Sequence, residues 1–241
     1  MWSVARVPSA EQEDARRAHR ELERLGHEQT AHRNRIGSLL VLHNLRLKHV
    51  GGRGWRSWWE QYSVALPPGL RGEIERESAR LELVKAQIKV LAALQRKAVA
   101  TGAQPQVAQL SQLRSIGQCS AWALVKELLG WRRFRNRREV AGCLGLSPTP
   151  YRSGDSQIEQ GIAKTGNKRA RYIMVELGWN WLRYQADSAL SKWFNERFAG
   201  AGKRLRRIGI VALPRRLAIA LRHYLEHGVI PAGAKLKPVA G

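Results

Sequence analysis

Leu81-Glu82-Leu83-Val84-Lys85-Ala86-Gln87-Ile88-Lys89-Val90-Leu91-Ala92-Ala93-Leu94-Gln95-Arg96-Lys97-Ala98 contains neither Pro nor Gly, and it sets Leu81, Val84, Ile88, Leu91, Gln95 and Ala98 at alternating spacings of three and four. A strand repeats every two residues and cannot gather those positions on one face, whereas a helix with a heptad seam does. The stripe begins at Ile74 and has one acidic step, Glu77. Upstream, Leu22, Leu25, Gln29, His32, Ile36, Leu39 and His43 repeat the same spacing with polar interruptions. Two such helices pair as an antiparallel coiled-coil hairpin. The connection between them, Gly51 to Gly69, holds Gly51-Gly52, Pro67-Pro68 and Trp55, Trp58 and Trp59. It reads as a loop with a local apolar knot, its tryptophans packed rather than offered to a partner.

The texture changes after the break at Gly102 to Gln106. Short helical runs then alternate with Gly-containing turns, and Trp and Arg become frequent. The expected division is therefore residues 1–101, a linker tail and the hairpin, followed by residues 107–241. Neither part shows sustained period-two alternation, so the fold class expected is all-α. No internal repeat is evident. A chain of 241 residues holds two modest domains, or one with an extension.

Lys and Arg number 42 against 19 Asp and Glu, a formal net charge of +23, and the excess lies on both parts. Charge of that size is a footprint for a polyanion, and nucleic acid is the default partner. A membrane span is excluded by Arg and Lys that interrupt every apolar stretch before about eighteen residues. Cys119 and Cys143 have no Cys or His nearby, so neither a zinc site nor a disulfide framework is read, and a reducing cytoplasm fits. Met1 to Arg6 does not open a secretory signal. His19, His27, His32, His43 and His49 lie on or beyond the first helix as seam or surface residues rather than ligands. Trp179, Trp181 and Trp193 are read as core.

Three segments carry candidate chemistry. Leu113-Arg114-Ser115-Ile116-Gly117-Gln118-Cys119-Ser120-Ala121 ahead of Trp122–Leu129 has the form of a helix-hairpin-helix turn. Gly117 would there permit a tight turn that aims backbone N–H groups at a phosphate, the alternative being a plain αα-corner. Trp131-Arg132-Arg133-Phe134-Arg135-Asn136-Arg137-Arg138 interleaves cations with aromatics, either as a solvated face or as a phosphate-binding stripe, and the net charge favours the stripe. Gly145 to Ser156 approaches Ser153-Gly154 through Pro148 and Pro150 and leads to Gly161–Arg171, where Lys164, Lys168, Arg169 and Arg171 could surround a phosphate. By residue type alone Ser153 is a nucleophile or an ordinary turn serine, because no His stands nearby as a base.

Read in order, these pieces resemble the C-terminal domain of transposases of insertion-sequence family 110. The resemblance runs through Ile116-Gly117 and Ala121, Phe134 with Arg138-Glu139-Val140-Ala141-Gly142, Gly145-Leu146-Ser147-Pro148 with Ser153-Gly154, and Lys164-Thr165-Gly166-Asn167-Lys168 with Arg171. It continues through Trp181-Leu182-Arg183-Tyr184-Gln185, Lys192-Trp193-Phe194, Arg197-Phe198 and Arg206 to Leu213. Val7-Pro8-Ser9 and Asp14-Ala15-Arg16, with the hairpin, resemble the family's central linker.

The resemblance implies a recombinase that cuts and joins DNA through a serine nucleophile, matched here by Ser153 with Ser156 as the weaker candidate. It implies DNA contacts from Gly117, Arg133, Arg135, Arg137, Arg138, Arg152, Lys164, Asn167, Lys168, Arg169 and Arg171. It further implies a structured guide RNA, homo-oligomers formed through the coiled coil, a nucleoid-associated bacterial protein, and Mg2+ bound by a RuvC-like acidic domain.

That acidic domain is expected to lie outside this chain, which begins too late to hold it. The only Asp residues are Asp14, Asp155 and Asp187, while Glu11, Glu13 and Asp14 suit a helix N-terminus. A non-catalytic DNA- or RNA-binding remnant that modulates a full-length transposase is the alternative reading. Pro214 departs from the family pattern and is expected to kink the last helix or to move its start to about Leu213. That helix should bury Leu217, Leu221 and Leu225 and present Arg215, Arg216 and Arg222.

Overall fold

The structure is a computed structural model that describes residues 7–47, 49–153, 156–200 and 202–238, with the backbone alone described over 149–153 and 156–160. The reading of Met1 to Arg6 lies outside the described residues. The chain divides into two compact units, residues 17–100 and residues 101–241 together with 1–16. The opening segment, which the sequence division groups with the hairpin, thus sorts with the C-terminal body.

In the first unit α2 (Arg17–Val41) pairs with α4 (Pro68–Ala100). Leu25, Ile36 and Leu40 are buried on α2, and Ile74, Leu81 and Val84 on α4. The two polar interruptions meet. Glu77, with 3% of its side chain exposed, accepts from Arg35 at 2.6 Å and from Arg80 at 2.9 Å, and sits 2.5 Å from His32 Nδ1. Burial alone would raise the Glu77 carboxyl, but hydrogen bonds and charge from Arg35 and His32 overcome it and hold the group down at about 2.

The first stripe ends sooner than its spacing suggests. Asn44 takes a left-handed conformation (φ 56°) and Leu45 N–H reaches back to the Leu40 carbonyl at 3.1 Å, which closes the helix and leaves His43 exposed beyond it. Leu40, not Leu39, is the buried residue there. The connection also departs from a plain loop: the tryptophans lie on a short helix, α3 (Trp55–Tyr62), where Trp55 stacks on Trp58 at 5.6 Å and on Trp59 at 5.5 Å. Trp55 is buried against Ile36, Leu40, Leu66 and Ile74, as a packing role requires.

The second unit begins with α1 (Ala10–Asp14), capped by a reciprocal Ser9–Gln12 box and carrying Glu11 and Glu13 in its first turn. Buried Arg16 ties this turn down by donating to the Lys126 carbonyl at 3.1 Å and lying over the Trp131 ring at 4.2 Å. The body then comprises α5 (Pro105–Ser111), α6 (Gln118–Leu124) continued by a π-helical turn over Val125–Leu129, α7 (Arg137–Leu144), α8 (Lys168–Tyr184), α9 (Ala189–Phe198) and α10 (Lys203–His227).

Among the described residues the fold is all-α apart from one antiparallel strand pair, β1 (Pro148–Ser153) and β2 (Ser156–Ile162), and an isolated bridge between Leu113 and Leu236. α10 packs on α8, α9, α7 and α5 and buries Ile210, Leu213, Leu217, Leu221 and Tyr224. Tyr224, rather than the half-buried Leu225, completes its core face. α10 also starts at Lys203 and runs on through Pro214, so its start does not move to Leu213. Room for the proline ring comes from α8, where a Cβ on Gly178 would lie 3.0 Å from Pro214 Cγ. Trp181 is fully buried and donates to Ser188 Oγ at 2.8 Å, whereas Trp193 is half-buried and Trp179 is 46% exposed, which corrects the reading of all three as core. No helix among the described residues is long and apolar enough to cross a membrane.

Candidate nucleic-acid interface

The loop after β2 is folded onto the end of α7, and two glycines make this possible. Gly145 (φ 63°) and Gly166 (φ 82°) occupy left-handed backbone, and a Cβ on either would overlap backbone, the Thr165 carbonyl oxygen for Gly145 and the Cys143 carbonyl oxygen for Gly166. With the backbones this close, Lys164 N–H donates to the Gly145 carbonyl at 3.1 Å and Asn167 N–H to the Cys143 carbonyl at 2.8 Å. The Arg171 guanidinium closes the contact by donating to the carbonyls of Leu144 and Thr165 at 3.1 and 3.0 Å.

Asn167 caps α8 by accepting from Ala170 N–H at 3.1 Å, while its amide donates to the carboxylate of Glu127 at 2.9 Å. Glu127 is itself buried on the π-helical turn. The structure thus turns Asn167 and Arg171 toward the protein's own backbone and carboxylate. Glu127 is a residue the sequence reading did not single out. Its only sequence signal is an acid within the apolar run Trp122–Leu129, which gives no hint of its partner forty residues away.

The remaining cations of this region point outward. Lys164, itself at positive φ (56°), and Lys168 and Arg169 are exposed around the loop. The basic run is anchored by buried Phe134, whose carbonyl accepts from Arg222 at 2.6 Å, and by Asn136, whose side chain caps α7. Arg133, Arg135, Arg137 and Arg138 are exposed around these anchors. Arg132 stacks on Trp131 at 4.5 Å. Of the α10 arginines, Arg222 is engaged with Glu226 and Phe134, and Arg216 lies over Trp193 at 4.0 Å.

Ser153 and Ser156 are cross-strand partners at the end of the β1–β2 ladder where residues 154 and 155 connect the strands. The backbone places Arg152 beside Ser153, opposite Gln157. Gly154 and Asp155, to which the sequence reading gave a turn, lie outside the described residues.

At the expected helix-hairpin-helix turn, Gly117 is exposed in ordinary extended backbone (φ −79°, ψ 159°), and a Cβ on it would meet nothing within 4 Å. The turn therefore does not depend on glycine's conformational freedom. It is bound by the chain's own tail. Arg114 N–H donates to the Lys235 carbonyl at 3.2 Å, Lys237 N–H to the Gln112 carbonyl at 2.7 Å, and Lys237 Nζ to the carbonyls of Ser111 and Ile116 at 2.6 and 2.7 Å.

Cys119 is exposed, and burial raises the Cys143 thiol despite the opposing charge of Arg132. Among the described residues no group of three or more His, Cys, Asp or Glu could hold a metal ion.

The helical body thus exposes cations on two loops, with the β-hairpin between them in chain order. Residues 107–193, which hold both loops and the hairpin, match the model of the transposase IS116/IS110/IS902 family, and this segment is a domain of that family. The chain is 38% identical to "Putative transposase y4rJ" of Sinorhizobium fredii over 98% of its own length and 63% of that protein's. It is 29% identical to "Probable family 20 transposase" of Pseudomonas aeruginosa over 70% of its own length and 51% of that protein's. It thus spans less than two thirds of either relative.

Proposed function

We propose that this chain acts in DNA transposition, with Ser153 as the nucleophile that cuts and rejoins DNA strands. The observation that supports this most is the position of the serine-bearing hairpin within the matched segment, in chain order between exposed Arg133–Arg138 and the exposed cations Lys164, Lys168 and Arg169. In the proposed step Ser153 Oγ bonds to a backbone phosphorus and one phosphate ester bond breaks. The serine proton leaves with the freed sugar hydroxyl, and the cations hold the phosphate charge. A hydroxyl of the recipient strand then displaces the serine in the reverse sense, so bonds and charge balance without an external energy source. Arg152 follows Ser153 in the proposed contact set. Asn167 and Arg171 act as positioning residues through the loop they hold, and Gly117 offers an exposed backbone.

Guide RNA is part of the same reading, with the net charge of +23 as its support. Self-association is another part, supported by Leu83, Val90 and Leu94, which are 58–60% exposed and recur at seven and four along α4. Leu83→Lys with Leu94→Lys should lower the mass measured by light scattering to that of one chain, and an unchanged mass would remove this part.

The deciding assay mixes the chain with element-end DNA, candidate RNA and magnesium, with and without a supplied RuvC-like fragment, and looks for a covalent protein–DNA adduct on a denaturing gel. An adduct lost in Ser153→Ala and kept in Ser156→Ala is expected. The absence of any adduct, with DNA binding intact, would leave the non-catalytic binding protein as the correct reading.

A further inference from the structure

The first unit carries a groove that the serine-bearing body does not explain. A cavity of about 1140 Å³ opens on the side of α2, lined by Arg33 and Val41 from the helix and by Arg46, Leu47, His49 and Arg53 from the loop that follows. No acidic residue lines it, and Arg33, Arg46 and Arg53 have no ion pair among the described residues. Elsewhere on this unit five arginines are matched to acids, Arg24 to Glu28, Arg56 to Glu60, Arg71 to Glu75, and Arg35 and Arg80 to Glu77, while Arg76 and Arg96 lie singly along α4 rather than around one concavity. Three exposed guanidinium groups around one concavity set up a positive local potential that favours an outside anion.

The groove is also built rather than incidental. Gly51 (φ 67°) sits so close over Leu81 that a Cβ would lie 2.5 Å from its Cδ2, and Lys85 Nζ donates to the Gly51 carbonyl at 2.9 Å. The loop bearing Arg46, His49 and Arg53 is therefore clamped to α4, with Val50 buried beneath it.

We infer that this groove holds one strand of single-stranded DNA, its phosphates on Arg33, Arg46 and Arg53 and its bases against Val41 and Leu47. A duplex would present a convex row of phosphates and no base faces to a concave wall that alternates cations with apolar side chains, whereas a single strand offers both. The assignment to DNA rests on the proposed reaction, in which cut strands must be kept from diffusing away before they are rejoined.

Full-length chain is titrated with fluorescein-labelled oligo-dT of twenty nucleotides across a salt series. Arg33→Glu with Arg53→Glu should weaken binding at least about tenfold and lower the slope of log affinity against log salt by about 1.4, from roughly 0.7 per single-strand phosphate released. Arg33→Lys with Arg53→Lys should keep the slope. The same charge change on α4, Lys89→Glu with Arg96→Glu, should cost much less, and a circular-dichroism melt checks that all variants fold.

Equal losses from the two charge-reversed pairs would show a diffuse field and overturn the groove. A larger loss on a twenty-base-pair duplex than on oligo-dT, or tighter binding of oligo-U, would overturn the assignment to single-stranded DNA. The adduct assay is read separately. A Ser153-dependent adduct together with groove variants that bind like the parent would sink the groove alone. Groove-dependent binding without an adduct would sink the serine reading alone.

Discussion

Both units bury a glutamate, and they satisfy it in different ways. Glu77 on α4 meets His32, Arg35 and Arg80, three cationic or imidazole groups that helical periodicity delivers to one seam. Glu127 in the C-terminal body accepts from the Asn167 amide, which arrives only because Gly145 and Gly166 let a loop lie directly on the end of α7. The first arrangement is a matter of spacing along two helices, and the second a matter of backbone meeting backbone. The paired helices of the hairpin unit should therefore respond to charge more than to glycine, Gly51 in their connection excepted, and the body should do the reverse.

The sharpest way to break that contrast is Gly166→Ala. It combines left-handed backbone with overlap of the Cys143 carbonyl, and should destabilise the body by roughly 3 kcal/mol or more. Urea unfolding followed by circular dichroism should then split into two transitions, the hairpin unit melting last. A single unshifted transition would show that the glycine contact is dispensable.

Glu77→Gln comes next, at about 2 kcal/mol in the hairpin unit, since it leaves His32 and two half-exposed arginines without their counter-charge. The Glu77 carboxyl is depressed from 4.5 in the unfolded chain to about 2 in the folded one. Its contribution is therefore fully present above pH 4.5 and lost as pH falls from there toward 2. A pH series of melts should show this loss in the parent and its absence in Glu77→Gln.

Gly178→Val should cost about 1–2 kcal/mol by crowding the Pro214 ring, with part of the loss recovered when Pro214→Ala is added. Additive effects in that cycle would mean that the two residues do not share the contact. The smallest effect is expected at Gly117→Ala, within about 0.5 kcal/mol, because no strain or close neighbour requires glycine there. If stability holds while DNA affinity drops, the backbone at Gly117 approaches a phosphate, and the helix-hairpin-helix reading gains its first direct support.

The sequence was most legible where a helix repeats. The α4 stripe from Ile74 to Leu91 follows the burial seen on that helix, and the exposure of Arg133, Arg135, Arg137 and Arg138 is what a basic run between two short helices suggests. It was less legible at helix ends, since the turn at Asn44 removes His43 from a stripe that spacing alone would continue. The β1–β2 pair was missed because it is short and carries two prolines. Gly154-Asp155 between two short polar runs was the available hint, as a pair of the kind favoured in two-residue hairpin loops. Nothing in the text of Lys164–Lys168 distinguishes an outward lysine from an inward asparagine, and both were read as DNA contacts.

What the sequence determined by itself is the helical character of the chain, the buried stripe of α4 and the strong net positive charge, because periodicity and net charge are properties of the chain before it folds. The tertiary structure decided which polar residues stay free. Asn167 and Arg171 turn inward, the tail from Lys235 to Lys237 occupies the turn ahead of Gly117, and Pro214 continues its helix against Gly178. Each of these outcomes depends on a partner dozens of residues away, and such a partner is chosen by close packing and hydrogen-bond satisfaction in three dimensions, which spacing along the chain does not encode.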